Sequence, residues 1–491
     1  MKGSFNKNGL CKAIALLLVF CMSFCMISCG DSNSDDFFDD EVSFDDDSRE
    51  LEKDDDGKIL QSGEVNNDVN VEGTVTLSCP QDIYVGSARE SIRQWISAFN
   101  ALYPDVKVKE DFSDRGNWSA RLYAKDMGDV FWLDDTQVYD MAIARTALMP
   151  LDVYAEHFSK DTRFGLNMSD VYAGFYNLGE VDGQLYMIAT NCGQQTFTYN
   201  KGMLTQAGLS MPTDDWTWSD FKEYVNILTV QNPDGSLAQV GAAMNITISP
   251  MYIPFYLGFG GQWCDTINKK ITLTTDENVL RGVNELVGVL QKKQIYPTSA
   301  GIRFDGDYAN AFANINADNV STTAAFWQLD SFANLATRAA QYETADIDWD
   351  IVAFPLFDYP ASPCGSFGYG VFSYASNPVA AAALCLSLYT QAGQKAINQG
   401  AVDSVPLLSS LKTETFWHLD EYADKNYDAF VANTDMYVPS QVKCEVPAAV
   451  GEIIIEGMEQ LFMDLYEGAV SVEDCLAKIE TQANEKWVTI R

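Results

Sequence analysis

The sequence predicts a two-lobed α/β architecture, each lobe a sheet flanked by helices and the two joined by hinge crossings. Three observations predict it. The 491 residues are too many for one ordinary core. Residues 73–133 alternate strand, helix, strand, helix, strand, an order that pairs strands in parallel through crossover helices. Residues 181–228 then hold two strand-like runs that meet at a small polar break, Asn191-Cys192-Gly193, suited to a passage from one lobe to the next.

Taken in order, residues 1–28 read as an export signal. Lys2, Lys7 and Lys12 precede an apolar run, Ala13 to Met26, shorter than the ~20 residues of a membrane span. The run ends in Met26-Ile27-Ser28-Cys29-Gly30, which resembles the bacterial lipobox. That resemblance implies cleavage before Cys29 and lipid on its thiol, placing the protein on the extracellular face of the cytoplasmic membrane. Two acyl chains suffice for stable anchoring. Residues 29–72 form an acidic tether. Between Asp31 and Lys58 there are fourteen acids against Arg49, Lys53 and Lys58, so charge repulsion keeps the segment extended.

The folded body starts near Gly73. Val75 and Leu77 alternate as a strand. Ile92, Trp95, Ile96, Phe99 and Leu102 keep helical spacing up to Pro104. Val106 to Val108 gives a second strand, Trp118 to Met127 a second helix and Asp129 to Leu133 a third strand. In such sheets ligands sit at the carboxyl ends of the strands. Farther on, Asp182-Gly183 marks a turn, Asn200 opens a short helix ending at Gly208, and Thr217 with Asp220 caps an amphipathic helix. Residues 276–293 form another helix, and two helices, 447–467 and 472–487, close the chain.

Composition narrows the function. A net charge of −37 disfavours nucleic acid as a partner. The two histidines, His157 and His418, are far apart, which argues against a histidine metal site or a histidine-based triad. The cysteines past residue 30 lack zinc-ligand spacing, so no metal and no cofactor is expected.

The combination Gly183, Tyr186, Tyr199-Asn200-Lys201, Gly208-Leu209, Pro212, Thr217-Trp218 and Phe221 resembles the family 1 extracellular solute-binding proteins, the carbohydrate receptors of ABC importers. The family's hinge proline is replaced here by Ile188-Ala189. The resemblance implies a periplasmic-binding-protein-like fold of type II. Lobe one would comprise 73–189 plus 367–425, and lobe two 192–363 plus 430–491. It implies a monomeric receptor, not an enzyme, that closes on a carbohydrate, here an oligosaccharide, and delivers it to ABC permease subunits. A non-sugar solute (peptide, polyamine or metal complex), a kinase sensor and a lipid-anchored glycosidase are the competing functions.

A sugar site needs aromatic plates and hydroxyl-binding polar groups. Trp132, Asp134 and Asp135 follow the third strand: Trp132 stacks and the acids accept hydroxyl protons, or Trp132 is core and the acids cap a helix. Trp327 matches the family's stacking tryptophan. Tyr252, Tyr256 and Trp263 fall near an expected cleft-facing loop, with lobe-two core as the alternative. Tyr369 lies in the glycine-rich return crossing, 365–370, Asn191 at the hinge, and Arg89 and Glu90 after the first strand's loop.

Overall fold

The computed structural model describes residues 70–233, 237–246, 249–297, 324–329, 332–399, 405–439, 442, 445–467 and 470–490. Cys29, the signal and the acidic tether lie outside the described residues. Strand β1 (Gly73–Pro80) leads to helix α1 (Gly86–Leu102), β2 (Val106–Ser113), α2 (Trp118–Tyr123) and β3 (Val130–Asp134). β1 pairs in parallel with both β2 and β3, as the alternation requires. α1 buries Ile92, Trp95, Ile96 and Phe99, the apolar stripe of its 3.6-residue period.

After helix α3 (Ala173–Leu178) comes a hairpin of two short strands, β4 (Glu180–Val181) and β5 (Gln184–Leu185). Asp182 and Gly183 connect them with φ of 52° and 77°, the left-handed pair of a two-residue hairpin turn. β6 (Met187–Gln194) then runs without interruption through Asn191-Cys192-Gly193, so the expected break is strand. Its backbone pairs with a distant strand through Gln194, and the irregularity is a register shift that leaves Thr190 of β6 without an opposite residue where Phe367 and Gly368 of the partner adjoin. Small polar residues read as a turn in isolation, but cross-strand pairing satisfies their backbone groups.

One residue on, β7 (Thr196–Asn200) already belongs to a second sheet. Asn200 caps α4 (Lys201–Gln206) through Met203 N, and Gly208 follows its end at φ 73°. Thr217 and Asp220 form a reciprocal capping box on α5 (Trp218–Leu228). The chain continues with β8 (Val230–Gln231), β9 (Leu237–Met244), α6 (Ser249–Gly258), α7 (Glu277–Gln291), β10 (Ile295–Pro297), β11 (Ala324–Leu329) and β12 (Trp349–Ala353). It returns through β13 (Ser362–Val371), α8 (Pro378–Leu386) and β14 (Tyr437–Pro439), and ends in α9 (Ala448–Glu467) and α10 (Val472–Thr489).

The first sheet has strand order β14-β13-β3-β1-β2, with β6 also on β13; the second has order β10-β9-β11-β7-β12, with β8 on β9. The molecule is therefore a two-lobed α/β protein. Alternation along β12 sends Trp349, Ile351 and Ala353 to one face of the second sheet and Val352 to the other, where Phe354 follows it. The Val352 face is lined by aromatic rings: Phe197 stacks on Phe354 at 5.6 Å, and Trp216 lies 5.3 Å from Phe326. The Trp216 indole N–H donates to Ala353 O at 2.8 Å.

Candidate functional site

The carboxyl end of β3 meets β13, and the loop that follows β3 faces a crevice walled by both lobes. Asp134 caps the single turn Asp135–Gln137. Its Oδ1 accepts from Thr136 N at 3.0 Å and Thr136 Oγ1 at 2.8 Å, and Gln137 Oε1 accepts from Asp134 N at 3.1 Å. Asp134 is thus engaged locally, and the capping reading describes it. Asp135 is different. It is 1% exposed, and Oδ2 accepts from Ser366 N at 2.8 Å. Burial, then the neighbouring Asp134, hold its carboxyl well above the usual carboxylate range. Asp135 lines a cavity of about 350 Å³ together with Val138, Leu178, Glu180, Val181 and Glu445.

A second cavity of about 370 Å³ shares Val181 and Glu445 with the first. Tyr139 and Asp182 wall it from the first lobe, and Leu257, Trp263, Cys264 and Asp265 from the second. The β4–β5 turn places Asp182 there, exposed at the hairpin tip. Glu445 accepts a hydrogen bond from Cys264 Sγ at 3.1 Å. Burial pushes the Glu445 carboxyl up, and burial followed by Glu445 pushes the Cys264 thiol up. Trp263 is 1% exposed, and its indole N–H has no hydrogen-bond partner among the described residues.

Of the residues expected at the site, Asp135 and Trp263 line these cavities. Trp132 is buried beside them in sequence: its ring lies 5.6 Å from Phe367 and 5.7 Å from the Arg115 guanidinium, and its buried indole N–H is also unpartnered among the described residues. Tyr252 and Tyr256 are lobe-two core. The expected loop is helix α6, apolar on every side and therefore enclosed. Tyr252 lies 6.1 Å from Phe462, and Tyr256 donates its hydroxyl to Met458 Sδ at 3.4 Å. Tyr369 is fully buried in mid-strand β13, 5.0 Å from Trp95, with its hydroxyl 3.5 Å from Cys79 Sγ. Trp327 sits in β11 with the Arg338 guanidinium 4.3 Å from its ring centre, and lines neither cavity. Arg89 stacks over Phe112 at 3.8 Å, and Glu90 accepts from Gln94 Nε2 at 2.7 Å on the exposed side of α1. Asn191 pairs through its backbone with Phe367, and its side chain lies outside the described residues.

Sequence reasoning missed Glu445, Glu180 and Asp182. Glu445 had one visible signal: it directly precedes the apolar run Val446 to Val450. Among the described residues no group of three His, Cys, Asp or Glu is arranged to hold a metal ion, and no helix is long and apolar enough to cross a membrane.

Residues 86–395 match a family model described as bacterial extracellular solute-binding protein. No curated protein matches the chain significantly. Solved structures share the fold at low identity. The sugar-binding protein MalE from the phytopathogen Xanthomonas citri is 15% identical, with a TM-score of 0.64 over 85% of this chain and 98% of that one. An ABC substrate-binding protein from Listeria monocytogenes in complex with cycloalternan is 17% identical, with a TM-score of 0.59 over 84% and 99%. UgpB from Mycobacterium tuberculosis in complex with glycerophosphocholine is 17% identical, with a TM-score of 0.59 over 85% and 98%.

Proposed function

Because the chain belongs to the bacterial extracellular solute-binding protein family, we propose that it is a receptor that captures a carbohydrate between its lobes for an ABC importer. The observation that carries this reading is the crevice walled from both lobes, with Asp135 and Asp182 on one side and Trp263 and Glu445 on the other. A ligand lodged there contacts both lobes at once. Its greater affinity for the closed arrangement shifts an open–closed equilibrium, and the closed form docks on the permease.

The lobes connect through Gln195, between β6 and β7, and through residues 354–361, between β12 and β13. These short links serve as the hinge. Tyr139 offers aromatic surface to sugar C–H faces, and the carboxylates accept hydroxyl protons. No covalent step is asked of the chain. Residues 1–28 act as an export signal, Cys29 carries the lipid, and 29–72 tether the monomeric body to the extracellular face of the membrane.

Two of the structural relatives described above were solved with a cyclic sugar and with a glycerophosphodiester. A non-sugar solute is accordingly the second reading. Titration calorimetry against a panel of neutral oligosaccharides tests the first. Saturable binding without bond cleavage is expected. Cleavage that one Asp or Glu substitution abolishes would overturn the receptor, and absence of binding across the panel would overturn a neutral sugar as ligand.

A further inference from the structure

Between α8 and β14 the chain does not stay on one lobe. Residues 412–433 hold no strand and no helix beyond short turns at 420–422 and 427–430. An irregular stretch of this length is uncommon in a compact protein and is usually functional. It starts on the first lobe. Asp170, just before α3, accepts from Ser409 Oγ at 2.6 Å, from Ser410 N at 2.8 Å and from Ser410 Oγ. Tyr172 N donates to Leu407 O at 3.1 Å, and Lys395 pairs with Glu414 at 2.7 Å. Farther on, the stretch lies on the second lobe. Asn426 N donates to Asp350 Oδ1 of β12 at 2.9 Å. The Asn426 side chain donates to Asp214 Oδ2 at 3.0 Å and to Ile351 O at 3.2 Å. The Tyr422 ring stands 5.9 Å from the Trp349 ring, and Lys425 Nζ lies 5.0 Å from the same ring. Trp417 and Phe430 close on Phe332, at 5.9 and 4.9 Å. The chain then returns to the first sheet as β14, paired with β13.

We propose that residues 411–433 are an interlobe strap, tied to the first lobe at Asp170 and clamped to the second at Asn426, that limits how far the lobes swing apart. The proposal rests on the lobe motion inferred above, but on no particular ligand. Chain length does not set the limit, because residues 411–425 drawn straight would span ~50 Å. The seating of the strap sets it. Trp417, Tyr422, Tyr427 and Phe430 are buried, in one contiguous core with the first sheet and with the Trp349 face of the second. Swinging the lobes apart while Asp170 holds the start of the strap draws these rings toward water. It also takes the Asn426 amide from Asp214, a half-buried carboxyl that burial already raises, and leaves it one donor fewer. Asp170 and Asn426 share no hydrogen-bond partner among the described residues, so the strap is what connects them.

The test uses the full-length, ligand-free protein with a fluorophore pair carried on unnatural side chains at Tyr123 and Val488, exposed residues of the first and second lobes. Single-molecule energy transfer reads the separation of the lobes, and mass spectrometry reads amide exchange. Asn426→Ala is expected to lengthen the mean separation and widen its distribution. It should also speed exchange across 417–430 by at least ~10-fold, with the amides of β1 and β9 unchanged. Asp170→Asn, at an exposed site, should lengthen the separation in the same direction. Effects at distant, independent sites add, so the double variant discriminates. If both anchors hold one strap, it opens the lobes no farther than the stronger single variant. A separation unchanged in both single variants, whatever the exchange shows, overturns the strap, and so do effects that sum in the double variant. Neither readout involves a ligand, so failure here leaves the carbohydrate reading where it stood.

Discussion

Gly368 stands where β13 changes register against β6, and replacing it with alanine tests how closely those strands meet. A Cβ built there falls 2.1 Å from Ile188 O and 2.8 Å from Ile188 C, where real Cβ contacts essentially never come within 3.0 Å. The obstacle is backbone held in a paired strand, not the end of a flexible side chain, so the strands must part by about 1 Å. Forced overpacking of this kind costs roughly 1–3 kcal/mol, and the rigidity of the neighbour puts Gly368→Ala at the upper end. At ~2–4 °C per kcal/mol for a lobe of this size, melting should fall by roughly 5–12 °C in scanning calorimetry. Gly288→Ala is the matched control. It lies inside α7 with nothing within 4 Å of the added carbon, so alanine should stabilise by about 0.5–1 kcal/mol through helix propensity. If Gly368→Ala melts within about 2 °C of the parent, the close approach of the two strands is wrong and the argument falls with it.

Other substitutions read different parts of the molecule. Thr217→Ala removes half of the capping box on α5 and should cost about 1 kcal/mol by urea denaturation; no change would mean that α5 is held by packing alone. Trp132→Phe should leave the melting temperature nearly unchanged, because the lost ring volume is offset by removing a buried, unpartnered N–H, whereas Trp132→Ala should cost about 3–5 kcal/mol. Asp135 and Glu445 have folded-state carboxyls raised above their unfolded values. The folded state therefore holds their protons more tightly, and these groups destabilise it progressively as pH rises from the ordinary carboxylate range, ~4, through the raised folded values. The ligand-free protein should accordingly gain more stability than an Asp135→Asn, Glu445→Gln double variant when pH is lowered from 7 to about 5. Equal gains in thermal melts would show that neither group titrates differently on folding.

The sequence displayed those features whose cause is local. The parallel β1-α1-β2-α2-β3 order, the Asn200 and Thr217 caps and the Asp182-Gly183 turn each follow from residues within a few positions of one another. What stayed hidden depends on partners far away in the chain. Asn191-Cys192-Gly193 resembles a turn until β13, some 170 residues later, supplies its hydrogen bonds. Residues 249–258 resemble an aromatic loop beside a cleft because a helix enclosed on every side shows no amphipathic period. Glu445 gains its place opposite Asp135 only when the chain returns through β14 to the crevice, and no spacing rule marks that return. Trp132 and Asp135 were read from the strand that carries them, but only the packing separates Asp135, facing the cavity, from Asp134, spent on a cap.

The position of β13 also has a consequence for how the molecule comes into being. It is the strand to which β3, β6 and β14 all attach, yet it arrives only at residues 362–371. The second sheet, by contrast, draws every strand from the unbroken run 196–353. As the chain emerges from amino to carboxyl end, β1, β2 and β3 appear first and must wait through the whole of the second sheet for the strand that joins them to β6. The sheet begun first is thus the sheet completed last, and an exported chain cut short near residue 361 would carry a full second sheet, without the two closing helices that pack on its lobe, beside three strands with an open edge.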